Sequence, residues 1–189
     1  MINFPNKKYN IIYADPAWTY GDKLKHHGGS AESHYDTMSF EDICNLPVKD
    51  ISADNCFLFM WGTHPLLPEA LEVIKAWGFE YKTNGFVWVK TYSNGKKVLG
   101  MGNYTRGNTE FCLMGVKGKP KRIDNNVSQY VESQIKAHSK KPDEVRKRIV
   151  KLCGDLPRIE LFARTKIHGW DVWGNDEKLQ SSPLEDFMS

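Results

Sequence analysis

The sequence predicts an α/β domain: a central sheet with helices on both faces. Three observations carry that expectation. Short β-rich apolar runs recur along the chain, amphipathic helical stretches stand between them, and the helical stretches open at proline and stop at glycine. At 189 residues the chain can bury a core without disulfide or metal and has no room for a second full domain. A single domain over 1–189 is therefore expected, with 178–189 as a flexible tail.

The elements follow in order. Ile11 to Ala14 reads as a buried strand stopped by Asp15-Pro16. Cys56 to Trp61 reads as a second strand; Pro65 then opens a helix carrying Leu66, Leu67, Ala70, Leu71, Ile74 and Trp77, with Gly78 as its stop. Phe86 to Val89 and Phe111 to Val116 read as further strands around a Gly-rich stretch from Ser93 to Gly107. Pro142, Asp143 and Glu144 open a helix with Val145, Ile149, Val150 and Leu152 on its apolar face, closed by Gly154 ahead of a strand from Arg158 to Phe162. Lys117 to Asn126, mixing Gly, Pro, Asn and charge, is expected to be a disordered loop. In such sheets ligands bind beyond the carboxyl ends of the strands, where strand order reverses. Two such ends carry unusual residues here: Asp15-Pro16-Ala17-Trp18, and Arg164.

Composition narrows the class only a little. The four cysteines have no CxxC pairing and no His at zinc spacing, so they read as reduced thiols, with no metal site expected. His26-His27 in a Gly-rich loop reads as a solvated pair. No apolar run approaches membrane-spanning length and no signal peptide is seen, so a soluble, cytoplasmic protein is expected, of a bacterial cell or a phage-infected host. A net charge of +3 is too mild to demand a nucleic-acid partner. Basic residues nevertheless gather at 23–27, 96–97, 117–122 and 136–151. They are either solvated surface charge or contacts for a phosphate backbone.

The tetrad Asp15-Pro16-Ala17-Trp18 carries a specific chemistry. The lone pair of an adenine amine is delocalised into its ring, so a group-transfer enzyme must favour the tetrahedral geometry that frees it. Two acceptors, one on each N–H, do this. The Asp15 carboxylate supplies one and the Pro16 carbonyl the other, because proline has fixed φ and no competing donor. Trp18 offers a flat face for an extruded base, offsetting the few kcal/mol of unstacking. The plain alternative is an ordinary turn with Trp18 packed in the core. Asp-Pro-x-Trp arises by chance in fewer than roughly one chain of this length in a hundred, so the turn reading must also explain its place after a strand.

The wider sequence resembles the adenine-N6 methyltransferases that bear an Asp-Pro-Pro-Trp motif, a family that includes the catalytic subunit of the eukaryotic mRNA enzyme and bacterial and phage proteins. Nearly the whole chain takes part: Tyr13-Ala-Asp-Pro-Ala-Trp18, Tyr35-Asp-Thr-Met-Ser39, Tyr104-Thr-Arg-Gly-Asn-Thr-Glu110, Gly115-Val-Lys-Gly118, Lys141-Pro-Asp-Glu144, Ile159-Glu-Leu-Phe-Ala-Arg164 and Gly169-Trp-Asp-Val-Trp-Gly-Asn175. The resemblance implies a Rossmann-like fold that binds S-adenosylmethionine, permuted so that the catalytic strand comes first and the cofactor strand near the C-terminus. It implies Asp15, Pro16 and Trp18 at the reacting centre and Tyr35, Arg106, Asn108 and Glu110 on the substrate side. Lys141, Leu161, Phe162, Arg164, Asn175 and Asp176 would hold the cofactor, through a cation, an apolar wall and groups for ribose and adenine. A strand-end salt bridge is the plain alternative for Arg164.

The chain departs from the family pattern at three places. Ala17 stands where a second proline is usual, releasing Pro16 from the pre-proline restriction at a cost of about 0.4–1 kcal/mol of preorganisation unless something compensates. Lys166 and Asp176 stand where larger relatives carry a histidine and an amide, and the segment ahead of the catalytic strand is shorter. The implied activity is methyl transfer from S-adenosylmethionine to adenine N6 in nucleic acid, with DNA favoured over RNA and either a homodimer or a second subunit allowed. The alternatives are an RNA adenine methyltransferase and a catalytically silent nucleic-acid-binding subunit.

Overall fold

The computed structural model describes residues 4–18, 38–102, 104–136 and 140–174. Seven strands form one sheet: β1 (Tyr9–Ala14), β2 (Ser52–Gly62), β3 (Glu80–Thr91), β4 (Thr109–Lys117), β5 (Tyr130–Gln134), β6 (Arg158–Leu161) and β7 (Asp171–Trp173). Their spatial order is β5-β3-β4-β2-β1-β6-β7. β1 runs parallel to β2 and β6, β6 to β7, and β3 to β5; β4 is antiparallel to both its neighbours. The carboxyl ends of the six co-directional strands therefore share one edge with the start of β4.

Helices cover both faces, as the sequence predicts. Along β1 the period of two divides the side chains. Ile12 and Ala14 enter the core shared with α1 (Phe40–Asn45), α2 (Val48–Ile51) and α3 (Leu67–Ala76), whereas Ile11 and Tyr13 enter the core shared with α4 (Asp143–Cys153). β1 is buried on both sides, which is why it reads as a continuous apolar run rather than an alternating one. The chain leaves β1 toward β2 on one side, and β6 lies on the other, so the crevice beyond Ala14 and Leu161 is where strand order reverses.

The structure differs from the expected elements at identifiable places. α1 and α2 are short helices that carry too few turns for a readable period; Ser39 caps the first, its Oγ accepting the Asp42 N–H at 3.0 Å. β5 and β7 are edge strands too short to stand out, and β7 makes Arg158–Leu161 the last strand but one. Phe162, expected inside that strand, lies just past it with φ 61°. The 117–126 segment is tied down rather than disordered. The Lys119 N–H donates to Asn55 Oδ1 at 2.8 Å, and the Ile123 N–H to the Leu152 carbonyl at 2.8 Å. Irregular backbone satisfied by neighbours leaves no periodic signature in sequence. All four cysteines are free thiols. Among the described residues no helix is long and apolar enough to cross a membrane.

Candidate active site

The chemistry collects on the shared strand edge. β1 ends at Ala14, which leaves Asp15 half-buried at the mouth of the crevice. β4, running the other way, starts at the same edge and delivers Glu110 from its second residue. Lys141 arrives from the turn ahead of α4, and its Nζ bridges the two carboxylates, 2.8 Å from Asp15 Oδ2 and 3.5 Å from Glu110 Oε2. Lys90, near the end of β3, pairs with the other oxygen of Glu110. The result is an alternating chain, Asp15–Lys141–Glu110–Lys90, with two charges of each sign.

These groups are poorly hydrated, so their mutual fields are strong. Burial opposes the charge on Glu110, yet Lys141 and Lys90 outweigh it and hold the carboxyl below its usual range. Burial likewise opposes the Lys141 ammonium, but Asp15 and then Glu110 more than restore it, and its pKa is raised. The lysines also lie over indole faces, Lys141 above Trp61 at 5.7 Å and Lys90 above Trp88 at 5.1 Å. Beneath them the Trp61 N–H donates to the Tyr13 hydroxyl at 2.6 Å. Cys112 is buried nearby, and burial together with the Asp15 charge pushes its thiol well up. It stays protonated and is no candidate nucleophile.

The Asp-Pro turn is locally built. The Trp18 N–H donates to the Pro16 carbonyl at 2.9 Å, and the Met38 N–H to the Ala17 carbonyl at 3.1 Å. The first of these bonds fixes the Pro16 carbonyl locally and leaves that oxygen one further lone pair. Trp18 is 8 % exposed and packs in the core on the α1–α3 side, its indole N–H buried with no hydrogen-bond partner. That burial matches the core reading of Trp18 in this state.

Of the other expected site residues, Asn108 sits half-buried and its carbonyl accepts the Lys90 N–H at 3.0 Å, while Arg106 is exposed on the β3–β4 connection. Leu161 is fully buried in the core behind the crevice. Phe162 is half-buried, its ring set edge-on to Trp173 with centroids 5.6 Å apart, and Arg164 is half-buried just beyond. Lys141, expected on the cofactor side, is engaged by Asp15 and Glu110. Tyr35, Asn175 and Asp176 lie outside the described residues. Lys90 was not singled out in the sequence. A cation at the end of an apolar strand that reads Phe86-Val-Trp-Val-Lys90 was the available signal.

The MT-A70 family model matches residues 9–176. The chain belongs to the MT-A70 family. Among its relatives, a type II methyltransferase, M.MunI, from Mycoplasma sp is 39% identical over 188 residues, covering 90% of this chain and 78% of its own. The N(6)-adenosine-methyltransferase catalytic subunit METTL3 of Homo sapiens is 28% identical over 162 residues, covering 83% of this chain and 26% of its own. The MT-A70-like N(6)-adenosine-methyltransferase of Drosophila melanogaster is 28% identical over 160 residues, covering 83% and 24%. The chain thus spans about a quarter of these two animal relatives. The matched span of the MT-A70 model includes every member of the charged chain.

Proposed function

We propose that this MT-A70 protein transfers a methyl group from S-adenosylmethionine to the N6 amine of adenine in nucleic acid, with DNA as the preferred polymer. The observation that carries the reading is the Asp15 carboxylate, held at the reversal crevice by Lys141 and followed at once by the Pro16 carbonyl. The relatives' names, a type II methyltransferase and N(6)-adenosine methyltransferases, point the same way.

Asp15 and the Pro16 carbonyl each accept one N–H of the amine, which draws the nitrogen toward tetrahedral geometry and frees its lone pair. The amine that gains a methyl loses one proton, and the Asp15 carboxylate is placed to accept it. Lys141 balances the charge on Asp15, and Glu110, fixed by Lys90, holds Lys141 in place. The crevice residues fit a sulfonium cofactor. Phe162, in the left-handed region at φ 61° directly after β6, is half-buried against Trp173 and offers apolar surface of the kind a cofactor adenine needs, and Arg164 follows it with donors suited to the cofactor's ribose hydroxyls. When bound, S-adenosylmethionine supplies the electrophilic methyl. Lys141, Phe162, Arg164, Asn175 and Asp176 would hold it, with Leu161 backing the wall. The position of β1 inside the sheet, with β6 beside it, supports the permuted arrangement that the resemblance implies.

The test is nucleoside mass spectrometry of a host that lacks adenine methylation and expresses either the wild type or Asp15→Ala. N6-methyladenine should appear in DNA with the wild type alone. Its absence from both DNA and RNA with soluble wild type would defeat the reading, as would more than a tenth of wild-type turnover in the purified variant. Modification of matched RNA oligonucleotides tenfold faster than DNA would overturn the DNA preference only.

A further inference from the structure

Tyr13 carries a polar atom that the methyl-transfer chemistry does not use. It lies two residues before Asp15 on β1, is fully buried, and pairs in register with Phe59 of β2 and Glu160 of β6. In a strand buried on both faces an apolar side chain would fill such a place. The hydroxyl instead accepts the Trp61 indole N–H at 2.6 Å, and Trp61 is itself 1 % exposed. Burial, ahead of the neighbouring charges, pushes the Tyr13 hydroxyl well above its usual range, so it stays neutral and serves as a fixed acceptor.

The Tyr13–Trp61 pair is covered at both ends by one stretch of chain. Lys141, two residues ahead of α4, sets its ammonium over the Trp61 ring at 5.7 Å, and Arg146, in the first turn of α4, sets its guanidinium over the Tyr13 ring at 5.4 Å. Arg146 is fixed in turn by two bonds to Glu160, each 2.6 Å, and one to Asp143 at 3.0 Å. Trp61 also meets Trp88 edge-on, centroids 6.3 Å apart; Trp88 lies under Lys90 and donates its N–H to the Ser133 carbonyl at 3.1 Å. Both lysines of the charged chain thus rest on one indole pair, and each indole N–H is tied to a fixed acceptor. A lysine side chain is a flexible four-carbon stem, and a rigid floor limits where its ammonium can sit.

We propose that Tyr13 is a positioning residue for methyl transfer: its buried hydroxyl fixes the Trp61 indole, and that indole, as the floor under Lys141, sets the ammonium against Asp15 at the reacting centre. The inference rests on the adenine-methyltransferase reading above. Tyr13 is too deeply buried to touch a substrate, so it acts only through Trp61 and Lys141. A misplacement of about 1 Å in a reacting constellation can cost on the order of 100-fold in rate. A buried hydrogen bond whose two partners are both replaced by apolar groups, in contrast, changes stability little. Activity and stability therefore separate in the right set of variants.

The test compares the full-length wild type with Tyr13→Phe, Trp61→Phe and the double variant. Tyr9→Phe is the control, because Tyr9 is a second β1 tyrosine whose hydroxyl donates to Asp171 at 2.8 Å, at the other end of the strand. Methyl incorporation into matched DNA and RNA oligonucleotides is measured at saturating S-adenosylmethionine, well below the thermal midpoints. Tyr13→Phe should lower kcat about tenfold or more with KM for DNA unchanged. Trp61→Phe should do the same, and adding Tyr13→Phe to it should cost less than about twofold more, since the hydroxyl then has no indole N–H to hold. The double variant should unfold no lower than Trp61→Phe, as it leaves neither half of the pair buried alone. Tyr9→Phe should lower the midpoint and leave kcat as it is. A Tyr13→Phe kcat within about twofold of wild type overturns the assignment. So do losses in Tyr13→Phe and Trp61→Phe that multiply independently, a rise in KM for DNA at constant kcat, or a Tyr9→Phe kcat that falls along with its midpoint. If Tyr13→Phe does not fold, the double variant against Trp61→Phe decides by the same twofold limit. A wild type inactive on DNA and RNA alike overturns the methyltransferase reading and this inference with it, whereas an active wild type with unaffected variants overturns this inference alone.

Discussion

Replacing Lys141 with methionine keeps the length of the side chain and removes its charge from between two carboxylates. At an effective dielectric of about 20, an ammonium 2.8 Å from Asp15 and 3.5 Å from Glu110 gains about 6 and about 5 kcal/mol of Coulomb attraction. Several kcal/mol of that are offset by the dehydration of lysine, which methionine does not incur. Breaking a buried pair on one side costs about 3–5 kcal/mol, and the low end applies here because Asp15 and Glu110 keep 24% and 17% of their side-chain exposure. Glu110 also keeps Lys90. The expected loss is about 3 kcal/mol at neutral pH, or a midpoint lower by roughly 6–12 °C.

The pH dependence gives this prediction its sharper edge. Glu110 has a depressed pKa in the fold, so its contribution is present above the ordinary carboxylate value and is lost as pH falls through the folded one. Lys141 has a raised pKa, so its contribution is complete below the ordinary lysine value of 10.5 and is lost as pH rises through the folded one. The penalty of Lys141→Met should therefore be flat from about pH 5 to about pH 10 and shrink beyond either end. Urea unfolding followed by tryptophan fluorescence at pH 7 and pH 3.5 measures it. A penalty under about 1 kcal/mol at pH 7, or one equally large at pH 3.5, would refute the charged chain as a source of stability.

Two further outcomes follow from other parts of the molecule. Glu160 accepts two bonds from Arg146, each 2.6 Å, beneath the sheet, and Arg146 also lies over Tyr13 at 5.4 Å. Glu160→Gln should cost about 3 kcal/mol, since among the described residues the buried guanidinium keeps only Asp143 as a counter-charge; a loss below about 1 kcal/mol in urea unfolding would show that the bidentate geometry does not matter. Arg164→Ala should weaken S-adenosylmethionine binding tenfold or so, about 1.4 kcal/mol, without changing the modified base. Unaltered calorimetric affinity would return Arg164 to a strand-end role.

The parts of this protein that were legible in sequence are those with a physical signature over a short stretch. β1 is a both-faces-buried strand and reads as an unbroken apolar run that ends at Asp15-Pro16. α3 and α4 show helical spacing with proline at one end and glycine at the other. α1 and β7 fell below the length at which a period can be read. The site was legible in its first half, because Asp15 and Pro16 adjoin in sequence. Its second half depends on the sheet: Lys90 and Glu110 meet only because β3 and β4 pair, and Lys141, which follows β5 in the chain, joins them from the turn ahead of α4. That Lys141 also neutralises Asp15 and Glu110 is not legible in sequence for the same reason, since a lysine before a helix says nothing about which carboxylates the topology sets beside it. The motif leaves Trp18 either a stacking face or a core residue, and its burial against the α1–α3 face depends on packing that four adjoining residues do not reveal.

β4 is the strand that runs against all the others, and this has a consequence for how the protein can change. Glu110 is set by the ladder itself, opposite Trp88 on β3, with the next residue, Phe111, opposite Gly62 on β2. The connection that joins β3 to β4 leaves one clamped strand and returns into another. Residues added, removed or exchanged between Tyr92 and Gly107 therefore need not shift the carboxylate. The length and composition of this connection are therefore mechanically uncoupled from the placement of the carboxylate that follows it.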